Sequence, residues 1–418
     1  MKKPIEISEF KHKALHWANQ FNVCCFLDSN GYLDKYSAFD FAIACEVQSE
    51  CTGNHLHSFK QLEEFQTTHR NWLFGLFSYD LKNEVEELES NNIDHLQFPN
   101  LYFFLPKYLI ICKNGQVEVV LGDEKIIDDI NNFNLSPNID EEQISLKNRL
   151  ERQQYINTVE KLQEHIAKGD IYEINFCQEF FAENVSINPL ACFTRLNQLS
   201  PNPFSGYFKI YDKFILSASP ERFICKRAQK LVAQPIKGTA KRHKNAIIDK
   251  QIKLNLQADE KERAENVMIV DLTRNDLAKV CKKASVCVEE LFEIYSFPQV
   301  HQMISTITGV CDSGKNPVEI IKHTFPMGSM TGAPKLRAME LIEKYELTKR
   351  GIFSGSIGYI SPDNNFDFNV VIRTILYNLT TKYLSIQVGG AITFLSEAEK
   401  EYEECLLKAS AMFSVLKS

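Results

Sequence analysis

One lysine and two pairs of carboxylates stand out in this chain of 418 residues as groups that could do chemistry. Lys237 lies in the stretch Gln234-Pro235-Ile236-Lys237-Gly238-Thr239, where the proline and the Gly-Thr pair predict that a strand gives way to a tight turn. A lysine becomes a nucleophile when a closed site lowers its pKa. Most lysines are instead solvated surface residues, so the pattern by itself leaves both interpretations open.

The carboxylate pairs are Glu262 with Glu265 and Glu401 with Glu404. Residues three apart share one face of a helix, and like charges there destabilise it by about 0.2–0.5 kcal/mol unless a cation compensates. Two such helices facing each other would form an all-oxygen site of the kind that suits Mg²⁺. No histidine follows either pair in a Glu-x-x-His motif, which argues against a di-iron bundle. A solvated charged face is the alternative for each pair.

Two glycine-containing segments and one arginine are candidates for binding an anion. Residues 328–335 look superficially like a phosphate loop, but their spacing is wrong, so we expect a loop that leads into a helix N-terminus. Gly389-Gly390-Ala391 is typical of a loop whose backbone approaches a ligand closely. Arg373 stands in an apolar stretch that predicts a strand, where it needs a carboxylate partner, from either the protein or a substrate.

The composition excludes several classes of protein. Hydrophobic residues make up 44% and charged residues 24%, and the formal charge of -7 gives no electrostatic case for nucleic acid or an anionic membrane as partner. No apolar run is long enough to span a bilayer and the N-terminus does not resemble a signal peptide, so we expect a cytoplasmic protein. The twelve cysteines contain no Cys-x-x-Cys pair, and Cys51 with His55 and His57 makes only a weak metal motif.

Helix and strand patterns mix without regular alternation along the chain, which favours an α+β fold with antiparallel sheets. The Asn-rich stretch 131–138 is the best linker candidate, and it divides an amino-terminal region (1–135) from a catalytic region (150–418). A helix is predicted over Asn255 to Val270, followed by a turn at residues 271–276.

The second region resembles the chorismate-utilising enzymes, a family that includes anthranilate synthase component I, aminodeoxychorismate synthase component I and the isochorismate and salicylate synthases. The similarity covers about residues 150 to 415 and runs through many ordered segments. These are Gly169–Tyr172, Ser217–Phe223, Gln234–Thr239, Ala264–Leu277, His301, Phe325–Lys335, Ser354–Tyr359, Ile372–Thr374 and Glu401–Glu404. In the first region, Trp72–Leu81 resembles the aminating synthases, and Leu27-Asp28-Ser29 resembles a segment that lines a tryptophan pocket in those relatives.

The resemblance implies a fold and a set of roles. The fold would be a two-sheet antiparallel sandwich with outer helices and the site in a cleft between the sheets, with residues 1 to about 135 packed onto the rest. Glu262, Glu265, Glu401 and Glu404 would hold Mg²⁺, which would clamp the ring carboxylate of chorismate. Arg373 and the backbone of Gly389 to Ala391 would bind the pyruvyl carboxylate, and Glu221 would be the acid/base at the 4-hydroxyl. Gly238, Thr239, His301 and Ser329 would line the substrate.

Lys237 distinguishes among the members of this family. The matching position is usually a small residue in the other branches, whereas the aminodeoxychorismate synthases resemble this sequence in carrying Pro-Ile-Lys-Gly-Thr. The resemblance therefore implies amination of chorismate at C4 through a covalent lysine intermediate, for p-aminobenzoate and folate synthesis. The chain has no Gly-x-Cys-x-Gly elbow, so ammonia is expected from a glutamine amidotransferase subunit.

Three points stay open on the sequence alone. Glu173 stands where the aminating enzymes more often carry Gln, and it could deprotonate Lys237 or ammonia, or act as a hydrogen-bond partner at the substrate. Anthranilate synthase component I is the rival activity. A non-catalytic protein that binds tryptophan through Leu27-Asp28-Ser29 is the rival from another class, and tryptophan could also bind the enzyme as a filler or a feedback ligand.

Overall fold

The computed structural model of the chain describes residues 6–32, 34–53, 56–135, 143–297 and 300–417. Eleven helices lie within these ranges. They are α1 (Ile7–Ala18), α2 (Ser58–His69), α3 (Lys82–Val85), α4 (Ile126–Asn131), α5 (Arg152–Ala167), α6 (Pro189–Leu199), α7 (Ala246–Ala258), α8 (Glu260–Ala278), α9 (Pro317–Thr324), α10 (Lys335–Tyr345) and α11 (Ala398–Leu416), with single 3₁₀ turns at Tyr79–Leu81 and Gly328–Met330.

Nineteen strands lie within the same ranges. They are β1 (Val23–Asp28), β2 (Phe41–Gly53), β3 (Leu73–Phe77), β4 (Leu101–Lys113), β5 (Gln116–Leu121), β6 (Lys147–Asn148), β7 (Glu173–Ala182), β8 (Phe204–Ile210), β9 (Lys213–Ser219), β10 (Arg222–Arg227), β11 (Lys230–Gln234), β12 (Ile236–Lys241), β13 (Cys287–Ser296), β14 (Val300–Val310), β15 (Gly332–Ala333), β16 (Ser356–Ile360), β17 (Phe366–Asn369), β18 (Thr374–Asn378) and β19 (Tyr383–Ile392).

The strands form two antiparallel halves, which are joined through the long strands β2 and β4. One half runs β7–β19–β18–β9–β8–β1–β2, and the other runs β3–β16–β17–β10–β11–β14. Strand β4 pairs with β2 along its whole length and also with β3, so the two halves are continuous through it. Every pairing between these named strands is antiparallel, which confirms the α+β fold class predicted from the sequence and excludes a doubly wound parallel sheet.

Two hydrophobic clusters hold this arrangement together. The larger cluster draws on both halves, for example Ile215 and Leu376 from the first and Ile357 and Phe368 from the second. The other cluster packs α1, α5, α6 and α11 against the first half, which leaves those helices outside the strands as expected. Burial of these apolar faces is the main favourable contribution to folding.

The amino-terminal region contributes strands to both halves. β1 pairs with β8 in the register Cys25↔Phe208, and β3 pairs with β16 in the register Leu76↔Ile357. The proposed division at about residue 135 stays a prediction. The linker candidate falls at the end of α4, and its second part, residues 136–138, lies outside the described residues.

Local structure differs from the sequence prediction in two places. The helix predicted from Asn255 to Val270 is two helices, because Asp259 interrupts α7 and its side chain caps α8 by accepting from the backbone N–H of Glu262. The turn predicted at residues 271–276 is wrong, since α8 continues to Ala278. No Gly or Pro breaks the segment, and an Asp271–Arg274 ion pair at 2.7 Å stabilises it as helix.

None of the helices among the described residues is long and apolar enough to cross a membrane. The twelve cysteines are all free thiols, as expected. Of the weak metal motif, Cys51 lies in β2 and His57 precedes α2, whereas His55 falls outside the described residues.

The shared cluster predicts a large effect of Phe368→Ala on stability. Phe368 is fully buried, with ring centroids 5.2 Å from Phe77 and 6.1 Å from Phe103. Truncation should lower the free energy of unfolding by about 3–5 kcal/mol in urea denaturation. Phe394→Ala is the control, because Phe394 is 66% exposed and its loss should change stability by less than about 0.5 kcal/mol. Similar losses in the two variants would contradict a core shared by the two halves.

Candidate active site

Lys237 is buried and forms an ion pair with another buried side chain. It lies on β12, two residues after Pro235, and its Nζ donates to Glu173 Oε1 at 2.5 Å. Glu173 is the first residue of β7, and only 1% of it is exposed, against 8% for Lys237. The sequence prediction placed both residues at the site, and the surface alternative for Lys237 is wrong. The other oxygen of Glu173, Oε2, is buried without a hydrogen-bond partner among the described residues.

The charge environment of Lys237 differs from the one expected of a nucleophilic lysine. Burial alone lowers its pKa, but the neighbouring carboxylates of Glu173, Glu265 and Glu221 outweigh burial, so the pKa of Lys237 lies above its ordinary value. The expectation of a lowered pKa is therefore wrong for the ligand-free chain. An ammonium ion has no lone pair, so Lys237 can attack only after a proton leaves it, and Glu173 is in direct contact to accept that proton.

Glu221 occupies the turn between β9 and β10, where 5% of it is exposed. Burial raises the pKa of Glu221 to about 7, although the Ser329 hydroxyl, the Lys237 charge and the backbone N–H of Ile236 offset part of the effect. The Ser329 hydroxyl lies near this carboxylate without reaching hydrogen-bond geometry. A carboxyl group with a pKa near 7 can both donate and accept a proton at neutral pH.

The two predicted carboxylate pairs lie on different helices that meet at the strands carrying the site. Glu262 and Glu265 are on α8, and a Cβ placed on Gly238 would lie 3.1 Å from Glu262 Oε2. Glu401 and Glu404 are on α11, and a Cβ on Gly390 would lie 3.1 Å from Glu401 Oε2. The two glycines therefore allow these carboxylates to approach the backbone closely.

Lys261 lies between the two helices. Its Nζ is 3.9 Å from Glu265 and 3.4 Å from Glu401, so it joins α8 to α11. Burial raises the pKa of Glu265 to about 7, and burial together with the charge of Glu404 raises the pKa of Glu262. Lys408, 2.7 Å from Glu404, lowers the pKa of that carboxyl group. Glu265 and Glu401 are buried and Glu262 is half-buried, so the solvated-face alternative does not describe these three, whereas the Glu404 side chain is 47% exposed.

The donor set suits a magnesium ion in its chemistry. The side chains are all oxygen ligands, and the raised pKa values of Glu262 and Glu265 mark a place where added positive charge would be favourable. Among the described residues, no three acidic, histidine or cysteine side chains already sit close enough together to hold a metal ion. A metal would displace Lys261, whose side chain is 43% exposed and therefore able to move away.

Arg373 lies just before β18 rather than inside a strand, with a positive φ of 52° that is strained for a residue with a side chain. Burial lowers the pKa of its guanidinium, and Glu404 partly offsets this effect. The described residues show no ion pair or side-chain hydrogen bond of Arg373, so an internal salt bridge is not found there. The guanidinium remains free to bind a carboxylate in two parallel hydrogen bonds.

Gly389, Gly390 and Ala391 belong to β19 and not to a loop, so that prediction is wrong. They pair with β7 in the registers Gly389↔Cys177, Gly390↔Phe176 and Ala391↔Asn175. The pairing of β19 with β18 stops at Ile386, which leaves the other edge of β19 unpaired from there on. An unpaired strand edge presents backbone N–H groups to a ligand, so an anion contact stays a prediction.

Two further predicted substrate residues lie on β12 and β14, which pair with each other. Thr239 is exposed on β12 opposite Gln302. His301 on β14 is buried, with Nδ1 2.9 Å from Ser296 Oγ and Nε2 3.1 Å from Asp249 Oδ1. Asp249 could not be predicted from the sequence, because a lone aspartate in α7 carries no signal of the fold contact that brings it to His301. These hydrogen bonds fix the orientation of the imidazole ring.

Two cavities lie close to the predicted site residues. One, of about 30 Å³, is bounded by Glu221 in the turn before β10 and by Ser329 in the Gly328–Met330 turn. The other, of about 60 Å³, is bounded by Leu27, Asp28 and Ser29 together with Arg222. The segment predicted to line a tryptophan pocket therefore does line a cavity.

The raised pKa of Glu265 predicts that Glu265→Gln stabilises the metal-free chain. A carboxyl group whose folded pKa exceeds its unfolded value destabilises the fold progressively as pH rises from about 4.5 to 7. The variant should be more stable than the parent chain by on the order of 2 kcal/mol at pH 8, and the difference should vanish near pH 4.5. Urea denaturation at both pH values measures it, with the exposed Glu63→Gln as control. Equal gains at both pH values would contradict the charge argument.

Comparison with known proteins identifies the family of the chain. The family model described as chorismate binding enzyme matches residues 22–414. The chain is 32% identical to aminodeoxychorismate synthase component 1 of Escherichia coli over 93% of this chain and 92% of that protein. It is 42% identical to the chloroplastic aminodeoxychorismate synthase of Arabidopsis thaliana over 62% of this chain, and this match spans only 28% of the plant protein. Anthranilate synthase component I of Streptococcus pneumoniae is similar in structure, with a TM-score of 0.79 and 25% identity over 91% of this chain and 94% of that one. On this evidence the chain belongs to the chorismate binding enzyme family.

Proposed function

We propose that this enzyme replaces the 4-hydroxyl of chorismate by an amino group, giving 4-amino-4-deoxychorismate for p-aminobenzoate and folate synthesis. The observation that carries the proposal is the buried contact between Lys237 and Glu173. A lysine held this way can add to the ring and leave again, which divides one difficult displacement into two easier ones. The E. coli and plant relatives named aminodeoxychorismate synthase support the same activity.

The first step forms a bond between Lys237 and C2 of the ring. Glu173 takes a proton from Lys237, and the neutral amine attacks C2. Both conjugated ring double bonds shift by one position, and the bond from C4 to its hydroxyl oxygen breaks. Glu221 supplies a proton to that oxygen, which leaves as water. The pKa of Glu221 near 7 suits this role, since the acid is half protonated at neutral pH.

The second step reverses the ring shift. Ammonia attacks C4, both ring double bonds shift back to their original positions, and the bond between C2 and Lys237 breaks. Glu221, now ionised, accepts the extra proton of the new amino group, and Glu173 returns its proton to Lys237. One ammonia molecule is consumed and one water molecule is formed, and nitrogen ends at C4 because two allylic substitutions have occurred.

The remaining groups would hold the substrate. The guanidinium of Arg373 and the open edge of β19 around Gly389 to Ala391 would bind the pyruvyl carboxylate. Glu262, Glu265, Glu401 and Glu404 would hold Mg²⁺, which supplies positive charge for the ring carboxylate. Gly238, Ser329, Thr239 and His301 would line the ring.

The ammonia would come from a glutamine amidotransferase subunit. The name component 1 of the E. coli relative implies a second component for that protein, and we extend this to the present chain. At high ammonium concentration, the chain alone should then be able to use free ammonia.

Anthranilate synthesis is the second candidate, since a solved relative of similar structure carries that name. It requires nitrogen at C2 and loss of pyruvate. Lys237 disfavours it, because a basic side chain beside C2 would obstruct direct attack by ammonia there. Tryptophan binding is a third candidate, at the cavity beside Leu27, Asp28 and Ser29, either in the enzyme or in a regulatory homologue without activity.

A product assay separates these candidates. Purified protein is mixed with chorismate, Mg²⁺ and ammonium, and the fluorescence of anthranilate is followed beside chromatography. We expect no anthranilate, and p-aminobenzoate only after a lyase that removes pyruvate is added. Direct appearance of anthranilate would overturn the assignment. If no product forms and calorimetry shows that tryptophan binds, the regulatory alternative would be favoured.

Replacing Lys237 tests the covalent step. Lys237→Ala should lower the rate of amination at C4 by several orders of magnitude, on the order of 10³-fold or more, because a nucleophile is lost. Lys241→Ala is a matched control, since Lys241 lies on the same strand but is exposed, and its rate should stay within about twofold of the parent rate. A loss of only a few-fold for Lys237→Ala would indicate that Lys237 merely positions the substrate.

A further inference from the structure

Most residues that line the small cavity of about 30 Å³ beside Glu221 have no part in the substrate contacts described above. It lies between β10, β11, the end of α8 and the Gly328–Met330 turn. Neither Lys237 nor Arg373 is among its lining residues. Much of its wall is apolar, from Phe223, Ile224 and Leu277 among others. The cavity therefore approaches the reaction centre only at its Glu221 end.

Its inner end carries polar groups without a protein partner. The Ser329 hydroxyl is 7% exposed and makes no hydrogen bond among the described residues. The Glu221 carboxylate lies beside it. A buried hydroxyl that is left unpaired costs about 1–3 kcal/mol, so this end of the cavity is built to accept a small hydrogen-bonding molecule.

Its outer end lies at Thr273 on α8, the one half-buried residue among those that line the cavity. The nearby Asp276 also lines it, but two lysines neutralise that carboxylate, with Lys335 Nζ at 2.5 Å and Lys279 Nζ at 3.0 Å. A neutralised carboxylate does not trap a cation, and an apolar wall disfavours any ion. The entrance therefore favours a small neutral molecule.

The cavity does not suit chorismate, which carries two carboxylates. The only cationic side chain in its lining is Arg222. That guanidinium is already bound to Asp34 at 2.6 Å, to Gln234 at 2.5 Å and to Asp367 at 2.9 Å. No free positive charge is left in the lining to hold an anion.

We propose that this cavity admits neutral ammonia at Thr273 and delivers it to Glu221 and Ser329, on the side of C4 that the leaving hydroxyl vacates. The inference rests on the proposed function, since it assumes that ammonia is the attacking group. Ser329 Oγ accepts a hydrogen bond from ammonia, and the Glu221 carboxylate accepts the proton that the new ammonium group must lose. Ammonia reaches C4 without passing the Lys237 adduct at C2.

The test narrows the entrance and leaves the catalytic groups in place. Thr273→Trp and Thr273→Phe fill the mouth to different extents, and Thr273→Val is the matched control that keeps its volume. Each purified variant is assayed with chorismate, Mg²⁺ and ammonium chloride, and thermal unfolding checks that it is folded. We expect kcat/KM for ammonia to fall at least about tenfold in Thr273→Trp and less in Thr273→Phe. The KM for chorismate should stay within about twofold in all three variants.

The outcomes are distinct. An unchanged kcat/KM for ammonia in a folded Thr273→Trp variant would overturn the route through this cavity while the proposed function stood. An equal rise in the KM for chorismate would also overturn it, because the cavity would then hold the substrate. If Thr273→Trp does not fold, Thr273→Phe decides the question by the same criteria. A parent chain that forms no C4-aminated product would refute the proposed function itself, and the inference with it.

Discussion

The contact between Lys237 and Glu173 is the constraint on which the rest of the site depends. A single buried ammonium group faces three carboxylates, from Glu173, Glu265 and Glu221, and it is stable there only because they surround it. The strands that carry it must therefore meet closely: β12 brings Lys237, and the start of β7 brings Glu173. Removing Lys237 would leave these buried carboxylates without the cation that they share.

The carboxylates grouped around Lys237 also lower the stability of the helices that carry them. Glu262 and Glu265 repeat at a spacing that brings like charges together on α8, and burial adds to the cost. Lys261 and Lys408 offset part of that repulsion in the ligand-free chain. Two lysine side chains thus partly neutralise the carboxylates of the site. A fold that holds such groups ready is less stable than the same fold with apolar residues in their place.

Helices, strands and candidate residues could be predicted from the sequence better than the contacts between residues of different elements. The antiparallel α+β class and most strands followed from apolar patterns, and the resemblance named the residues of the site. The raised pKa of Lys237 could not be predicted, because it depends on three carboxylates that come from β7, α8 and the turn before β10. Asp249 was missed for the same reason, since its contact with His301 spans 52 positions of the chain. The prediction that α8 ends at Val270 was wrong because a run of polar residues there suggested a turn. Without Gly or Pro in that run, the helix continues to Ala278.

Arg222 is a boundary shared by the two cavities near the site. It follows Glu221 directly in the chain, and its buried guanidinium is held by Asp34, Asp367 and Gln234. One cavity has the Leu27–Ser29 segment on its far side, and the other ends at Glu221. Arg222 is part of the wall of both spaces. A substitution at this one position would therefore change the shape of both cavities at once.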